Sequence, residues 1–396
     1  MTLLTDAAAL HDDLTRLRRD LHREPEIGLD LPRTQEKVLA ALAGLPLEVT
    51  TGTALSSVTG VLRGGRRGPS VLLRGDMDAL PVRERSGVSY ASQIDGQMHA
   101  CGHDLHTAML VGAARLLSAR RADLAGDVVF MFQPGEEGER GAKHMIDEGV
   151  LDASGSRPVA AYALHVTSAM LPSGWFAARP GPMMAAADVL EVTVRGGGGH
   201  ASQPHRAKDP IPAACEMVLA LQTFVTRTFD VFDPVVLTVG SFHAGTVENV
   251  IPDEVRFGAS IRSFSAASHA RATDGAAEVV RGIAAAHGLT VEVNFRMAYP
   301  VTVNDAAAVD FAEERVAELF GDDRFVRMPN PATAAEDFSY VLDEVPGAFV
   351  FLGACPPDRD VATAPFNHAP EAAFDDGVLA DGAALLAQLA MKRLHE

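Results

Sequence analysis

Short apolar runs separated by turn residues set the reading of this chain. Leu10, Leu14, Leu17 and Leu21 recur at helical spacing, and the pattern stops near Pro25, which predicts an opening amphipathic helix. Residues 58–62 and 71–73 are strand-like runs on either side of the turn Gly64-Gly65-Arg66-Arg67-Gly68-Pro69. Residues 105–117 return to helical spacing. Residues 128–132, 160–164 and 348–352 are unbroken apolar runs of strand length, as in a sheet buried on both faces, although periodicity alone leaves buried helix open. Strand and helix alternate, so the main domain is expected to be α/β with a mostly parallel sheet.

The pattern changes after Arg179-Pro180-Gly181-Pro182. Residues 189–194 alternate as a half-exposed strand does, and a long helix is expected over 212–225. Runs at 235–239 and 255–261 follow, then a helix over 270–287 and a strand over 290–295. Strand, helix, strand, strand, helix, strand describes an α+β, ferredoxin-like sandwich. It is expected at 182–298, inserted into a first domain made of 1–181 and 299–396.

Composition narrows the class. The 396 residues are 47% hydrophobic and 22% charged, enough apolar content for a large core and two domains. The net charge is 34 − 52 = −18, which argues against nucleic acid because phosphate binding needs clustered Lys and Arg. Cys101, Cys215 and Cys355 are odd in number and far apart, unlike a disulfide framework. The first residues carry no basic segment ahead of a long apolar stretch, and no uncharged apolar run reaches the roughly 18 residues that span a bilayer. A cytoplasmic protein without membrane partners is the expectation.

Candidate chemistry sits at the ends of the apolar runs. Asp76 and Asp78 follow the first, Glu136 and Glu137 another, and His165 ends a third, while Cys101 and His103 precede the helix at 105–117. In open α/β sheets, sites form outside the carboxyl ends of the strands. Thiolate, imidazole and carboxylate together suit zinc-like divalent ions better than calcium or magnesium. Of two adjacent glutamates, one can bind metal while the other moves protons. A thiol hydrolase with Cys101 as nucleophile leaves Glu137, His165 and His368 unexplained. His99, His106 and His144 read as supporting or structural residues. Gly196 to Gly199 lacks the context of a phosphate loop and reads as a turn that frees His200. Met183, Met184 and Phe242 offer an apolar lining for an aromatic or aliphatic group.

Nine motifs occur in order from about residue 10 to the C-terminus: HREPEIG (22–28), RGDMDALP (74–81), MHACGHDLHTA (98–108), QPGEEG (133–138), ALHV (163–166), GGHASQPH (198–205), NVIPD (249–253), AEDF (335–338) and NHAP (367–370). Together they resemble the metallo-amidohydrolases that include hippurate hydrolase, N-acyl-amino-acid amidohydrolases and auxin-conjugate hydrolases, a branch of the aminoacylase and carboxypeptidase superfamily. The resemblance implies Cys101, His103, Glu137, His165 and His368 as ligands of two divalent ions, zinc or manganese ahead of cobalt or nickel. It implies Glu136 as general base and Asp78 as the carboxylate that orients a ligand. His200 would reach the active site of a partner subunit, in a homodimer or dimer-based tetramer, and Asn249 and Arg262 would contact substrate. The expected reaction is hydrolysis of the amide bond of N-acyl amino acids. N-carbamoyl-amino-acid or dipeptide hydrolysis by the same binuclear site is the alternative.

Overall fold

The computed structural model describes residues 2–396, the side chains of 297 and 298 apart. The chain forms two compact units. One comprises the residues up to Met183 with Val303–Asn330 and Asp337–Glu396, and the other Met184–Thr302 with Pro331–Glu336.

The first unit is built on an eight-stranded sheet. Its strand order is Leu47–Thr51, Val58–Leu62, Asp127–Gln133, Ser70–Asp76, Ala160–Thr167, Gly347–Gly353, Phe176–Ala178, Phe325–Arg327. The four central strands run parallel. Val58–Leu62 runs against both its neighbours, and Phe176–Ala178 against Gly347–Gly353. The runs at 128–132, 160–164 and 348–352 are therefore strands, and their near-complete burial explains why they do not alternate. Helices His103–Ser118 and Leu379–Arg393 add Leu105, Met109, Leu110, Leu385, Leu386 and Leu389 to the same apolar core. Parallel pairing puts the carboxyl ends of these strands on one side: Asp76 lies opposite Gln133, and His165 opposite Phe351. Glu136 and Glu137 follow Gln133 directly. The opening helical pattern divides into Leu3–Ala9 and His11–Arg23, the second ending before Pro25.

The second unit carries a four-stranded antiparallel sheet in the order Val235–Ala244, Glu254–Ser263, Ala186–Arg195, Thr290–Tyr299. Helices Pro210–Thr228 and Ala266–Ala286 start at Asp209 and Ser265, whose side chains accept from the N–H groups of Ile211 and Ser268. The helices and one sheet face share a core that includes Val192, Val255, Phe257, Ile261, Met217 and Val280. This is the split β-α-β arrangement. Its bounds differ from 182–298. Pairing of the last strand continues to Tyr299 opposite Ala187. Ala185 N–H donates to Ala332 O and Ala334 O, at 3.1 and 2.9 Å, which ties 331–336 to this unit. Among the described residues no helix is long and apolar enough to cross a membrane.

Candidate metal centre

Gly102 constrains the turn that carries Cys101 and His103. It sits in the left-handed region (φ 85°) immediately before helix His103–Ser118, and a Cβ there would lie 2.3 Å from Val166 Cγ2. Glycine thus lets the Cys101-to-His103 turn press against the end of strand Ala160–Thr167. Cys101 Sγ comes within 3.4 Å of His165 Nε2 and 3.3 Å of His368 Nε2. His368 Nε2 is also 3.1 Å from Glu137 Oε1. Donor atoms of Cys101, His103 and His165 lie within 4.8 Å of one another, as do those of Cys101, Glu137 and His368, and those of His103, Glu136 and Glu137. The five residues expected as ligands therefore converge in two overlapping sets that share Cys101, with Glu136 beside them.

The surroundings orient these groups. Asp78, buried, accepts the backbone N–H groups of Glu136 (3.0 Å) and Glu137 (2.9 Å), and its Oδ1 lies 3.5 Å from His103 Nδ1. Asp337 N–H donates to Glu136 Oε1 at 3.4 Å. Asp337 is itself held by Arg74, by Gln133 and by Ala142 N–H. His368 adopts a left-handed backbone (φ 73°), held by its N–H to Ala100 O at 2.8 Å. A non-glycine residue pays roughly 1–2 kcal/mol for that conformation.

Electrostatics favour a cation here. Hydrogen bonding to Cys101 and Glu137 pushes His368 up to about 10. Burial works to lower His103, yet the charges of Asp76 and Cys101 outweigh it and hold the imidazole well above its ordinary range. Burial also works to raise Glu137, but His368 and His103 hold it low. Protons collect where anionic donors converge, and a divalent cation would displace them. Both ring nitrogens of His103 are buried without a hydrogen bond, as suits a group waiting for a ligand-type contact. The donor set fits a zinc-like or manganese-like ion.

Asp76, His103 and His106 also bring donor atoms together. That set is closed to an ion at His106, whose Nδ1 lies 2.5 Å from Asp76 Oδ1 and whose Nε2 accepts Val166 N–H at 2.8 Å. Reading His106 as a supporting residue agrees with this. The hydrogen bonds of Asn367 escaped the sequence reading, although NHAP was singled out as a motif. Its Nδ2 donates to Cys101 O (3.2 Å) and Val166 O (3.0 Å). Only strand ends brought together in space could reveal that. His99 and His144 belong to none of the donor groups found among the described residues.

In the second unit, His200 and Asn249 are exposed and line one recess of about 790 Å³ with Gly198, Gly245 and Pro252. His200 Nδ1 accepts from Ser202 N–H (3.2 Å), so the ring proton sits on Nε2 and can be donated. Arg262 stands apart, half-buried on the sheet face opposite the helices, between the core positions Ile261 and Ser263. Burial lowers its pKa, against which the charge of Asp188 works. Met183 and Met184 are interior, 0% and 5% exposed, so the expected apolar lining is not available at those two positions; Phe242 is exposed.

A model for peptidase family M20/M25/M40 matches residues 72–392. The chain belongs to that family. It is 37% identical to thermostable carboxypeptidase 2 of Saccharolobus solfataricus over 98% of both chains. It is 34% identical to hippurate hydrolase of Campylobacter jejuni over the whole of both. Among solved structures, a dinuclear metal binding peptidase of the M20 family from Bacillus subtilis superposes with a TM-score of 0.83. That match has 31% identity and covers 98% of this chain and 99% of the other. The resemblance drawn from the nine motifs therefore holds. So does the expected class, a metal-dependent hydrolase of amide bonds.

Proposed function

We propose that this M20-family enzyme hydrolyses the amide bond of N-acyl amino acids, releasing a carboxylic acid and a free amino acid. The observation that carries the reading is the convergence of Cys101, His103, Glu137, His165 and His368 around a position flanked by Glu136. The names of the hippurate hydrolase and carboxypeptidase relatives support an amide next to a carboxylate-bearing residue. In this reading the five residues hold two divalent ions, as in the dinuclear Bacillus subtilis relative. When bound, such ions polarise a carbonyl and lower the pKa of water toward neutrality.

The chain's own groups do the rest. Glu136 takes the proton of the attacking water and delivers it to the leaving nitrogen, held toward that task by Asp337 N–H. Asp78 fixes the peptide groups of Glu136 and Glu137, so base and ligand keep their relative placement. His200, exposed and with Nδ1 taken by Ser202 N–H, donates its Nε2 proton to the developing oxyanion in the active site of a second copy of the chain. Asn249 contacts substrate beside it, and Arg262 grips the substrate carboxylate with two parallel hydrogen bonds. Hydrolysis of N-carbamoyl amino acids or dipeptides uses the same groups and is the competing reading.

Rates on N-benzoylglycine and N-acetyl amino acids, set against N-carbamoyl and dipeptide analogues, decide between them. The reading predicts the highest kcat/KM on an N-acyl amino acid. A preference for the carbamoyl or dipeptide series would overturn it.

A further inference from the structure

Three contacts meet at the peptide groups of Val166. Its N–H donates to His106 Nε2 (2.8 Å), and its carbonyl accepts from His165 Nδ1 (2.9 Å) and Asn367 Nδ2 (3.0 Å). A peptide N–H can only donate and a carbonyl can only accept, which fixes both imidazole tautomers. His106 carries its proton on Nδ1 and gives it to Asp76 Oδ1. His165 also carries its proton on Nδ1, which leaves its Nε2 lone pair facing Cys101 Sγ. The other oxygen of Asp76 accepts from Arg74 Nη1 at 2.6 Å, and Arg74 Nε is anchored by Gln133 Oε1 at 2.9 Å. Arg74, Asp76, His106 and His165 are all buried, so water is not at hand to replace a lost partner.

We infer that His106 is a positioning residue for metal binding: the chain Arg74–Asp76–His106–Val166 holds His165 in the one tautomer and orientation that presents Nε2 to a cation. The same Val166 carbonyl takes the Asn367 amide, so the device also places the loop that carries His368. His106 has no lone pair left to be a ligand itself. The inference rests on the metal reading proposed above. Carboxylate or backbone partners of ligand histidines elsewhere change metal affinity by about 10- to 100-fold.

The test reads metal binding directly. Metal-free wild type, His106→Asn and His106→Gln are titrated with zinc in competition with a chromophoric chelator, and their cobalt forms are compared by visible absorption. Asparagine keeps a donor for Asp76 but gives Val166 N–H no acceptor, whereas glutamine can place an amide oxygen near the Nε2 position. His106→Asn should bind the more weakly held zinc about 10- to 100-fold less tightly and shift the cobalt bands. His106→Gln should recover part of both effects. Wild-type zinc affinity and cobalt bands in both variants, even with a lowered melting temperature, would overturn the inference while leaving the metal reading intact. A wild type that takes up no zinc would instead remove the metal reading, and the inference with it. Should the variants not fold, the ring nitrogens of ¹⁵N-histidine-labelled wild type answer the question. His106 must show Nδ1–H and a bare, uncoordinated Nε2 with zinc present; a protonated or zinc-bound His106 Nε2 overturns the inference.

Discussion

Replacing Asp78 by asparagine perturbs the account at the carboxylate that holds both Glu136 and Glu137. The two Asp78 oxygens accept the N–H groups of Glu136 and Glu137 at 3.0 and 2.9 Å, and the side chain is 1% exposed. Hydrogen bonds to a charged partner contribute roughly 1.5–3 kcal/mol each, against about 1 for a neutral pair. Asparagine keeps one oxygen as a neutral acceptor and turns an NH2 group toward a peptide N–H, leaving that donor buried and unmet. Weakening one bond and losing the other comes to about 2–4 kcal/mol. Because the loss falls on the segment carrying the proposed base and ligand, kcat/KM should drop at least about 30-fold, the lower figure converted at 1.4 kcal/mol per tenfold. The assay pairs kcat/KM at saturating metal with urea unfolding of the metal-free protein, followed by the fluorescence of Trp175, the single tryptophan. Trp175 lies in the same unit as Asp78 and reports on it. An unfolding free energy within about 0.5 kcal/mol of wild type, with an unchanged rate, would refute the reasoning.

Glu136→Ala should keep its metal but lose at least about two orders of magnitude in rate, the scale of a general base, whereas Glu137→Ala should lose metal occupancy as well. Metal analysis beside kinetics separates them, and equal metal with equal activity in both would reverse the assignments. Arg262→Ala should lower kcat/KM for an N-acyl amino acid by about 30- to 1000-fold yet change little for its methyl ester, which lacks the carboxylate; equal losses would make Arg262 structural. His22 Nδ1 contacts Asp104 Oδ2 at 2.8 Å and its Nε2 contacts Glu84 Oε1 at 3.0 Å, with Arg18 on the same Asp104 oxygen. Burial opposes the charged imidazole, but Asp104 and Glu84 outweigh it and raise its pKa. A raised folded-state pKa means the stabilisation is complete below the unfolded value near 6.5 and is lost as pH climbs through the folded one. The stability gap between wild type and His22→Gln should therefore narrow from pH 6 to pH 9; a gap that is constant or widens contradicts the doubly bonded imidazolium.

Strands Val58–Leu62, Ser70–Asp76, Asp127–Gln133, Ala160–Thr167 and Gly347–Gly353 were legible because both faces are covered, which writes each as an apolar run such as 128–132. The incompletely buried edge strands Leu47–Thr51 and Phe325–Arg327 and the three-residue Phe176–Ala178 left no such run. The strand order was not legible. Asp127–Gln133 slots between Val58–Leu62 and Ser70–Asp76, a choice made by packing between segments far apart in sequence. Among the expected ligands, Cys101 and His103 flank Gly102, where a Cβ would lie 2.3 Å from Val166 Cγ2, Glu137 follows a run and His165 ends one, whereas His368 ends no run and was readable only through the NHAP motif. His106 and Asn367 act through backbone groups of Val166, and backbone acceptors leave no mark on a sequence. Segment 331–336 joins the second unit through bonds from Ala185 N–H to Ala332 O and Ala334 O, which likewise involve no distinctive side chain. Met183 and Met184 look like pocket residues by type and turn out interior by placement.

The central claim is that converging Cys101, His103, Glu137, His165 and His368 hold ions that amide hydrolysis requires. The most direct measurement follows metal content and N-benzoylglycine hydrolysis in the same samples during dialysis against a strong chelator, then on return of zinc, manganese or cobalt. The account predicts that activity falls in step with metal, vanishes when content reaches zero, and returns as two ions per chain are restored. Turnover that persists in protein shown to be metal-free would contradict it.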